Sequence, residues 1–295
     1  MKKHIGEIGL FIVAIIWGGG FVATQAALDG GLTTSQIMTL RFFISAVLLN
    51  MIFFKQIKNN ITRGTIKVGI ILGVCLFLGF FLQTLGLNYT TPSKNAFITS
   101  VNVVIVPFIG LALYKRKLDK FGVASSFLAI IGIAVLSLSA DFTINFGDVL
   151  TLLCAFGFAF QIFFTSEFVK NHNPIVLTAI QFDVAFILSF IVQIIIGEAR
   201  LNAELSGYMG IIYLSLFSTT ICFLLQTICS KMVDGTRVAI ILSTEAVFGT
   251  ILSIIILGEP VTVRMIVGSI IIFMSVITAE TKLSFIPFFK NIEKK

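Results

Sequence analysis

The sequence predicts an all-α polytopic membrane protein whose ten transmembrane helices form two inverted five-helix repeats. First, 57% of its 295 residues are hydrophobic and 12% are charged, with a mean hydropathy of +1.04. Second, apolar stretches of about 20 residues recur along the chain, each long enough to cross a hydrocarbon core of about 30 Å. Third, the two halves of the chain share a residue pattern at a nearly constant spacing. Soluble globular domains carry about 25% charged residues, so the composition excludes that class.

The apolar stretches define ten predicted spans joined by short connections. They lie near residues 7–28, 35–54, 67–87, 94–113, 119–139, 148–168, 174–196, 208–229, 238–257 and 263–281. The first stretch is too long for a signal peptide and has no small-residue cleavage site before the second, so we expect it to remain as a span. The connections leave no room for a soluble domain, and residues 282–295 form a basic tail.

The distribution of positive charge predicts the orientation of the spans. An even number of spans puts both termini on one side, and 17 Lys and Arg residues fall on that side. The opposite side carries three, which are Lys94, Arg200 and Arg264. Because cytoplasmic loops are enriched in Lys and Arg, both termini are predicted to be cytoplasmic. The net charge of +7 is therefore explained by topology, and no nucleic-acid partner is expected.

An internal repeat relates the predicted spans of the two halves, residues 7–139 and 148–281. At shifts of 139, 140 and 143 residues, the matched segments are Trp17-Gly18-x-x-Phe21 with Phe156-Gly157-x-x-Phe160, Arg41-Phe42 with Gln181-Phe182, Gln83-Thr84 with Gln226-Thr227, and Ala96-x-Ile98-x-Ser100 with Ala239-x-Ile241-x-Ser243. Each half holds five spans, and an odd number gives the second half the opposite orientation. Inverted repeats are typical of alternating-access transporters, whose substrate site lies near the midplane.

Several motifs also resemble those of one transporter family. They are Trp17-Gly18-x-x-Phe21, Arg41-Phe42, the stretch from Ala96 to Pro107, and Leu257-Gly258-Glu259-Pro260 followed by Gly268. With these motifs the chain resembles the EamA family of the drug/metabolite transporter superfamily over nearly its whole length. The resemblance implies a ten-helix bundle with a central cavity lined by both halves. It further implies transport of small metabolites, commonly export of amino acids or similar compounds across the bacterial cytoplasmic membrane.

The first half departs from the family pattern at the end of the fourth span. Lys115-Arg116-Lys117 stand there, where the second half has Gly258-Glu259-Pro260. The usual acidic residue is absent from the first half, so no role is transferred to that position.

Three charged residues lie within predicted spans, where a charge near the bilayer centre costs about 2.5–3.5 kcal/mol and therefore faces a cavity or a partner. Glu245 is the first candidate, and it aligns with Asn102 in the repeat. A carboxylate opposite an amide suits an amino or cationic group, or carries a coupling proton. The alternative is a structural carboxylate that is hydrogen-bonded to Ser243 or Thr244.

Asp183 and Arg41 are the other two intramembrane charges. Asp183 is predicted to pack or to form a polar pair between helices. Arg41 is a candidate gate or anion contact, and we do not expect it to pair with Glu245. It is predicted to meet carbonyl groups of the outer loop, or to extend outward along its aliphatic stem.

Amides and aromatic rings complete the predicted substrate pathway. The amides suit a polar or zwitterionic substrate, although interhelical hydrogen bonding is an alternative; they are Gln83, Asn95, Asn102, Gln161 and Gln226. Trp17 lies near the predicted midplane on one helix face with Phe21, and Gly18 allows close helix contact. The counterpart of Trp17 lies near Phe156, Phe158 and Phe160. Pro107 is expected to kink the fourth span.

The sequence therefore predicts a secondary transporter rather than an enzyme. It shows no metal-ligand cluster, nucleophile motif or phosphate-binding loop, and no cofactor is expected. The four cysteines lie in apolar spans without paired spacing and are interpreted as reduced packing residues. The predicted activity is export of an amino-acid-like metabolite. The alternatives are a multidrug or cationic-amine exporter, or a channel-like facilitator. The expected partners are a small-molecule substrate, a coupling proton in one reading, and the lipid bilayer.

Overall fold

The computed structural model describes residues 2–115, 120–137, 145–198, 201–233, 238 and 241–281. Within these residues every regular element is helical. The predicted basic tail, residues 282–295, lies outside the described residues, as do Arg116, Lys117, Arg200 and Arg237.

The helices follow the predicted spans closely. The first half contains α1 (Lys2–Asp29), α2 (Thr34–Ile52), α3 (Phe54–Asn60), α4 (Arg63–Leu87), α5 (Pro92–Ser100), α6 (Asn102–Tyr114) and α7 (Lys120–Ser137). The second half contains α8 (Phe146–Phe168), α9 (Pro174–Ile196), α10 (Leu205–Tyr213), a π-helical segment (Leu214–Ile221), α11 (Cys222–Cys229), α12 (Glu245–Leu257) and α13 (Val263–Thr281).

Among the described residues, seven helical segments are long and apolar enough to cross a membrane. They are His4–Asp29, Thr34–Ile52, Arg63–Leu87, Pro92–Tyr114, Phe146–Phe168, Pro174–Ile196 and Leu205–Cys229. Three shorter apolar helices, Val123–Leu136, Ile241–Leu257 and Val263–Thr278, coincide with the remaining predicted spans. Their outer surfaces expose large apolar side chains, including Ile195 and Ile255, as expected of helices that face lipid.

Local sequence signals set the ends of several helices. Thr33 and Gln36 cap α2 reciprocally, because each side chain bonds the backbone N–H of the other. At the opposite type of end, Gly197 follows α9 with φ +81° and Gly258 follows α12 with φ +65°. A left-handed residue at this position closes the helix and turns the chain away, and glycine adopts it without strain.

The fourth and ninth spans are both interrupted at the same position of the repeat. Val101, with φ −62° and ψ −15°, separates α5 from α6, and Thr244, with φ −65° and ψ −12°, precedes α12. The two residues are 143 apart in the sequence. The interruption lies six residues before Pro107, which sits inside α6, and Thr250 replaces that proline in the second half. Proline therefore does not account for the break, and the expectation of a kink set by Pro107 is corrected.

The eighth span contains a wider helical turn that the sequence did not predict. Its backbone changes from α-helical to π-helical at Leu214 and returns at Cys222. The Thr220 hydroxyl donates to the Ser215 carbonyl five residues earlier, at 2.8 Å. A π-helical stretch re-aims carbonyls and side chains relative to a regular α-helix, and such stretches often occur at functional sites.

The helices of the two halves pack on one another in an equivalent way. Three pairs of repeat-related elements are in contact, α2 with α9, α5 with α12, and α7 with α13. The remaining contacts also correspond, because α1 packs on α10–α11 and α12, whereas α8 packs on α4 and on α5–α6.

Two glycines show how closely these contacts correspond. A Cβ atom on Gly6 would meet Cys229, Met232 and Val233, and one on Gly147 would meet Gly86, Tyr89 and Thr90. From 6 to 147 the shift is 141, and from each residue of the second partner set to the first it is 143. The two halves therefore place the same helix start against the same helix end.

Candidate functional site

A cavity of about 650 Å³ lies between helices of both halves. Its lining residues come from six of the predicted spans and are Trp17, Gly20, Phe21, Arg41, Phe80, Gln83, Thr99, Asn102, Val103, Phe158, Gln161, Ile162, Leu214, Ser218, Phe223, Leu242, Ser243 and Glu245. This volume falls within the range of small-molecule sites, about 300–1,000 Å³. The cavity combines apolar rings with a few polar and charged groups, as such sites do.

Trp17 lies in the cavity wall and is anchored to the π-helical segment. Its indole Nε1 donates a 2.8 Å hydrogen bond to the Ser218 carbonyl, and its ring lies 5.1 Å from that of Phe223. The next residue, Gly18, does not line the cavity. A Cβ there would come within 2.6 Å of Phe248 Cβ and 2.8 Å of the Gly249 nitrogen. The tryptophan–glycine pair thus provides an aromatic wall on a helix that lies against the backbone of α12.

Arg41 lies inside the protein at the cavity and not at the surface. Its side chain is 2% exposed, with Nε donating to Thr219 Oγ1 at 2.5 Å and Nη2 donating to Ser218 Oγ at 3.2 Å. The guanidinium carbon lies 3.7 Å from the Phe80 ring centroid. The expectation that Arg41 extends outward or meets loop carbonyls is wrong, because the π-helical segment supplies hydroxyl partners inside the bundle.

Glu245 is the first residue of α12 and lines the same cavity. It is 8% exposed, and within the described part of the chain its carboxylate makes no hydrogen bond or ion pair. The structural alternative from the sequence named Thr244 as a partner, but the Thr244 hydroxyl donates to the Ile241 carbonyl instead. A carboxylate at a helix amino terminus is favoured by the helix dipole. It therefore remains available to a ligand.

Asn102 occupies the corresponding place in the first half, as the first residue of α6. It is 5% exposed, and its Oδ1 has no hydrogen-bond partner in the described chain. The two interrupted helices thus begin their second segments at one cavity, one with an amide and the other with a carboxylate. Half-helix amino termini of this kind contact substrates in transporters with discontinuous spans.

The five predicted amides do not all reach the cavity. Gln83 and Gln161 line it, with Gln83 donating to Thr99 Oγ1 at 3.2 Å and Gln161 donating to Thr165 Oγ1 at 3.1 Å. Asn95 is fully buried and donates to Thr151 Oγ1 at 2.9 Å, so it joins α5 to α8 as a structural bond.

The second member of the predicted glutamine pair, Gln226, is buried away from the cavity. Gln83 and Gln226 are repeat-related, but the cavity takes only Gln83. The expectation that the pair acts together at the pathway is therefore corrected.

The predicted aromatic counterparts of Trp17 are placed differently. Phe156 is 45% exposed on the outer surface, and Phe160 stacks on Phe164 with ring centroids 6.0 Å apart. Phe158 lines the cavity instead. Successive residues of a helix differ by about 100° in direction, so an error of two residues in the repeat moves a ring from the cavity to the surface.

Asp183 also lies away from the cavity. Its Oδ1 accepts a 2.8 Å hydrogen bond from Asn50 Nδ2, which joins α9 to α2. This is the polar pair between helices that the sequence suggested for Asp183, and it leaves no carboxylate from α9 in the cavity lining.

Phe80 and Phe223 are lining residues that the sequence analysis did not single out. Their rings lie 5.7 Å apart, and from 80 to 223 the shift is 143 residues, as for Gln83 and Gln226. Each phenylalanine stands three residues before one of these glutamines, which puts it on the same side of the helix. The repeat signal could therefore have identified both rings.

Comparison with known proteins relates the whole chain to transporters. Residues 4–138 and 145–280 each match the model of the EamA-like transporter family. An uncharacterized transporter of Archaeoglobus fulgidus is 32% identical over 277 residues, covering 94% of this chain and 86% of that protein. A probable amino-acid metabolite efflux pump of Salmonella typhimurium is 23% identical, covering 92% and 93%. A crystal structure with 15% identity has the same fold, with a TM-score of 0.69 over 95% of this chain and 99% of that one.

Proposed function

The chain belongs to the EamA-like transporter family, and we propose that it is a secondary transporter that exports a small, polar, amino-acid-like metabolite by alternating access. The observation that carries this proposal is the cavity between the two halves, where the Glu245 carboxylate has no partner in the described chain. A buried carboxylate without a partner is costly, so its retention favours a role in binding an ammonium group or a coupling proton.

The alternating-access mechanism is supported by the correspondence between the halves. We propose ten spans in two inverted repeats, with the substrate bound where the interrupted helices α5–α6 and α12 meet. The paired breaks at Val101 and Thr244 support this arrangement, as do the equivalent contacts of Gly6 and Gly147. One repeat would move against the other around the bound substrate, exposing it to each side in turn.

The proposed location is the bacterial cytoplasmic membrane, with both termini in the cytoplasm. The asymmetric distribution of Lys and Arg supports this orientation. In that orientation the amino-terminal ends of α1 and α12 start from the cytoplasmic side, and the amino-terminal end of α5 starts from the outer side. The named relative from Salmonella typhimurium is a probable amino-acid metabolite efflux pump, which supports export as the direction.

A cationic-amine or multidrug exporter is the second candidate function. The unpaired Glu245 and the rings of Trp17 and Phe80 around it favour a cation, whereas the buried guanidinium of Arg41 opposes one. A channel-like facilitator is separated from both by counterflow. Vesicles loaded with unlabelled substrate accumulate labelled substrate transiently if the protein is a carrier, and do not if it is a channel.

The test of the proposed function is transport in proteoliposomes by the wild type and by Glu245→Gln. We expect Glu245→Gln to reduce amino-acid counterflow at least about tenfold, the size expected when a charge-assisted hydrogen bond is lost. Glu204→Gln, at an exposed position before α10, is the matched control and should retain transport. Wild-type rates in Glu245→Gln at every pH between 5 and 8 would contradict the assignment of this residue.

A further inference from the structure

The cavity contains a buried cation for which the chain supplies no counter-ion. Arg41 is 2% exposed, and its side-chain partners are the neutral hydroxyls of Ser218 and Thr219 together with the ring of Phe80. Within the described residues no carboxylate forms an ion pair with it. Buried charges are normally paired, because removing an ion from water costs several kcal/mol.

The guanidinium also keeps hydrogen-bonding capacity. It has five N–H donors, and the two hydrogen bonds to Thr219 and Ser218 use one on Nε and one on Nη2. Nη1 bonds to nothing among the described residues. A planar fork of donors beside a cavity matches a carboxylate, which it can bind through two parallel hydrogen bonds.

We propose that Arg41 binds the carboxylate of the substrate, which lies in the cavity with that group at Arg41 and its ammonium group at Glu245. This inference rests on the proposed transport function and assigns the two ends of the substrate within the same site.

The two charges of the cavity select against other substrate classes. Arg41 and Glu245 line the same cavity but do not form an ion pair with one another. A lone cation would meet the uncompensated guanidinium, and a lone anion would meet the carboxylate. A zwitterion compensates both charges at once, so the paired arrangement favours compounds that carry both groups.

The π-helical segment fixes the position of Arg41. Thr219 and Ser218 belong to this segment, and Ser45, one turn after Arg41 on α2, donates to the Ser215 carbonyl at 2.9 Å. The Trp17 indole bonds the Ser218 carbonyl on the same segment. The irregular backbone thus holds Arg41 by its Nε edge and leaves the other edge of the guanidinium to the ligand.

The test uses matched sets of three probes in proteoliposome counterflow. Each set contains an amino acid, the amine that lacks its carboxylate, and the acid that lacks its amino group, for alanine, threonine, leucine and phenylalanine. The proteins are the wild type, Arg41→Gln, Arg41→Lys and Glu245→Gln. Arg63→Gln, at an exposed arginine at the start of α4, is the matched control.

We expect the wild type to prefer the amino acid over its amine by about tenfold or more, the worth of a charge-assisted hydrogen bond. Arg41→Gln should abolish this preference by lowering uptake of the amino acid while leaving uptake of the amine unchanged. Arg41→Lys should retain part of the preference, because it keeps the charge but loses the planar fork. Glu245→Gln should instead abolish the preference for the amino acid over the acid.

Equal loss of amino acid and amine in Arg41→Gln would overturn the proposal, as would unchanged uptake of both. A wild type that prefers the amine would also overturn it while leaving the transport function intact. A wild type that moves no probe above protein-free liposomes would contradict the proposed function itself. If Arg41→Gln does not yield a folded protein, Thr219→Ala, which frees Arg41 Nε, carries the same expectation of selective loss of amino-acid uptake.

Discussion

Glu259 accepts two hydrogen bonds from Ser93, one from the backbone nitrogen at 3.2 Å and one from the hydroxyl at 2.7 Å. The contact joins the end of α12, in the second half, to the first turn of α5, in the first half. Gly258 makes it possible, because its left-handed conformation ends α12 and turns the next residue back toward the bundle. Ser253 also donates to the same carboxylate oxygen, at 2.8 Å.

A second link lies beside this one. Lys94 Nζ lies 3.7 Å from Asp148 Oδ2, and the Thr90 hydroxyl donates to the other oxygen of Asp148. Both carboxylates come from the second half of the chain and hold the segment that begins α5. The family motif around Glu259 is thus explained as a fastening between the two halves.

We expect Glu259→Ala to destabilise the protein by about 1–2 kcal/mol, because the Ser93 N–H and the Ser253 hydroxyl lose their acceptor. Thermal unfolding of purified protein in detergent measures the effect. The control is Glu204→Ala, whose side chain makes no capping hydrogen bond, and it should unfold at the wild-type temperature. Equal melting temperatures for Glu259→Ala and the wild type would show that the contact contributes nothing.

Trp17 provides a direct signal from the cavity, since it is the single tryptophan of the chain. We expect a bound amino acid to change the intensity or wavelength of its fluorescence, because the ring lines the cavity and its indole N–H bonds the Ser218 carbonyl. Titration of purified protein with the four amino acids of the counterflow assay measures this.

The same titration has internal controls. Trp17→Phe should remove the tryptophan signal, and its affinity is then measured by thermal stabilisation with the same ligands. Glu245→Gln should keep the signal but shift the titration to higher ligand concentrations. A ligand that stabilises the protein without any change in Trp17 fluorescence would place the binding site elsewhere.

Phe158 and Phe156 form a matched pair of rings on one helix. Phe158 lines the cavity and packs edge-to-face on Phe80, with centroids 4.8 Å apart, whereas Phe156 is exposed on the outer surface. We expect Phe158→Ala to lower amino-acid counterflow several-fold and the stability by about 3 kcal/mol, as for other buried aromatic truncations. Phe156→Ala should leave transport within about twofold of the wild type, since the ring contacts the surroundings and not the cavity.

The opposite order of effects would indicate that the sequence alignment of the repeats, and not the structure, identifies the functional ring. Both variants are compared at equal amounts of folded protein, determined by size-exclusion chromatography before reconstitution, so that a loss of folded protein is not mistaken for a loss of transport.

The amino-acid sequence predicted the membrane class, the family and most of the helices. Hydropathy carries these features, because each span must satisfy its own backbone and present apolar side chains to lipid. The resemblance to the EamA family is confirmed by the match over both halves. Glu245, Asn102, Gln83, Gln161, Trp17 and Phe21 were also predicted for the substrate pathway and do line the cavity.

The register of the repeat was harder to predict, because small residues and phenylalanines recur often in apolar helices and match by chance. The motif relates Trp17 to Phe156 by 139 residues. The lining residues instead relate Trp17, Gly20 and Phe21 to Phe158, Gln161 and Ile162, and from 17 to 158 the shift is 141. The glycine contacts of Gly6 and Gly147 give the same value.

The sequence by itself determined which segments are apolar enough to be helices, since that property belongs to each segment alone. The tertiary structure decided which face of each helix meets the cavity and which meets lipid. It also revealed the π-helical turn that holds Arg41 inside the bundle. These features depend on contacts between residues more than 100 positions apart, and a shift of one or two residues along a helix costs little in local hydropathy while it changes every partner that a side chain meets.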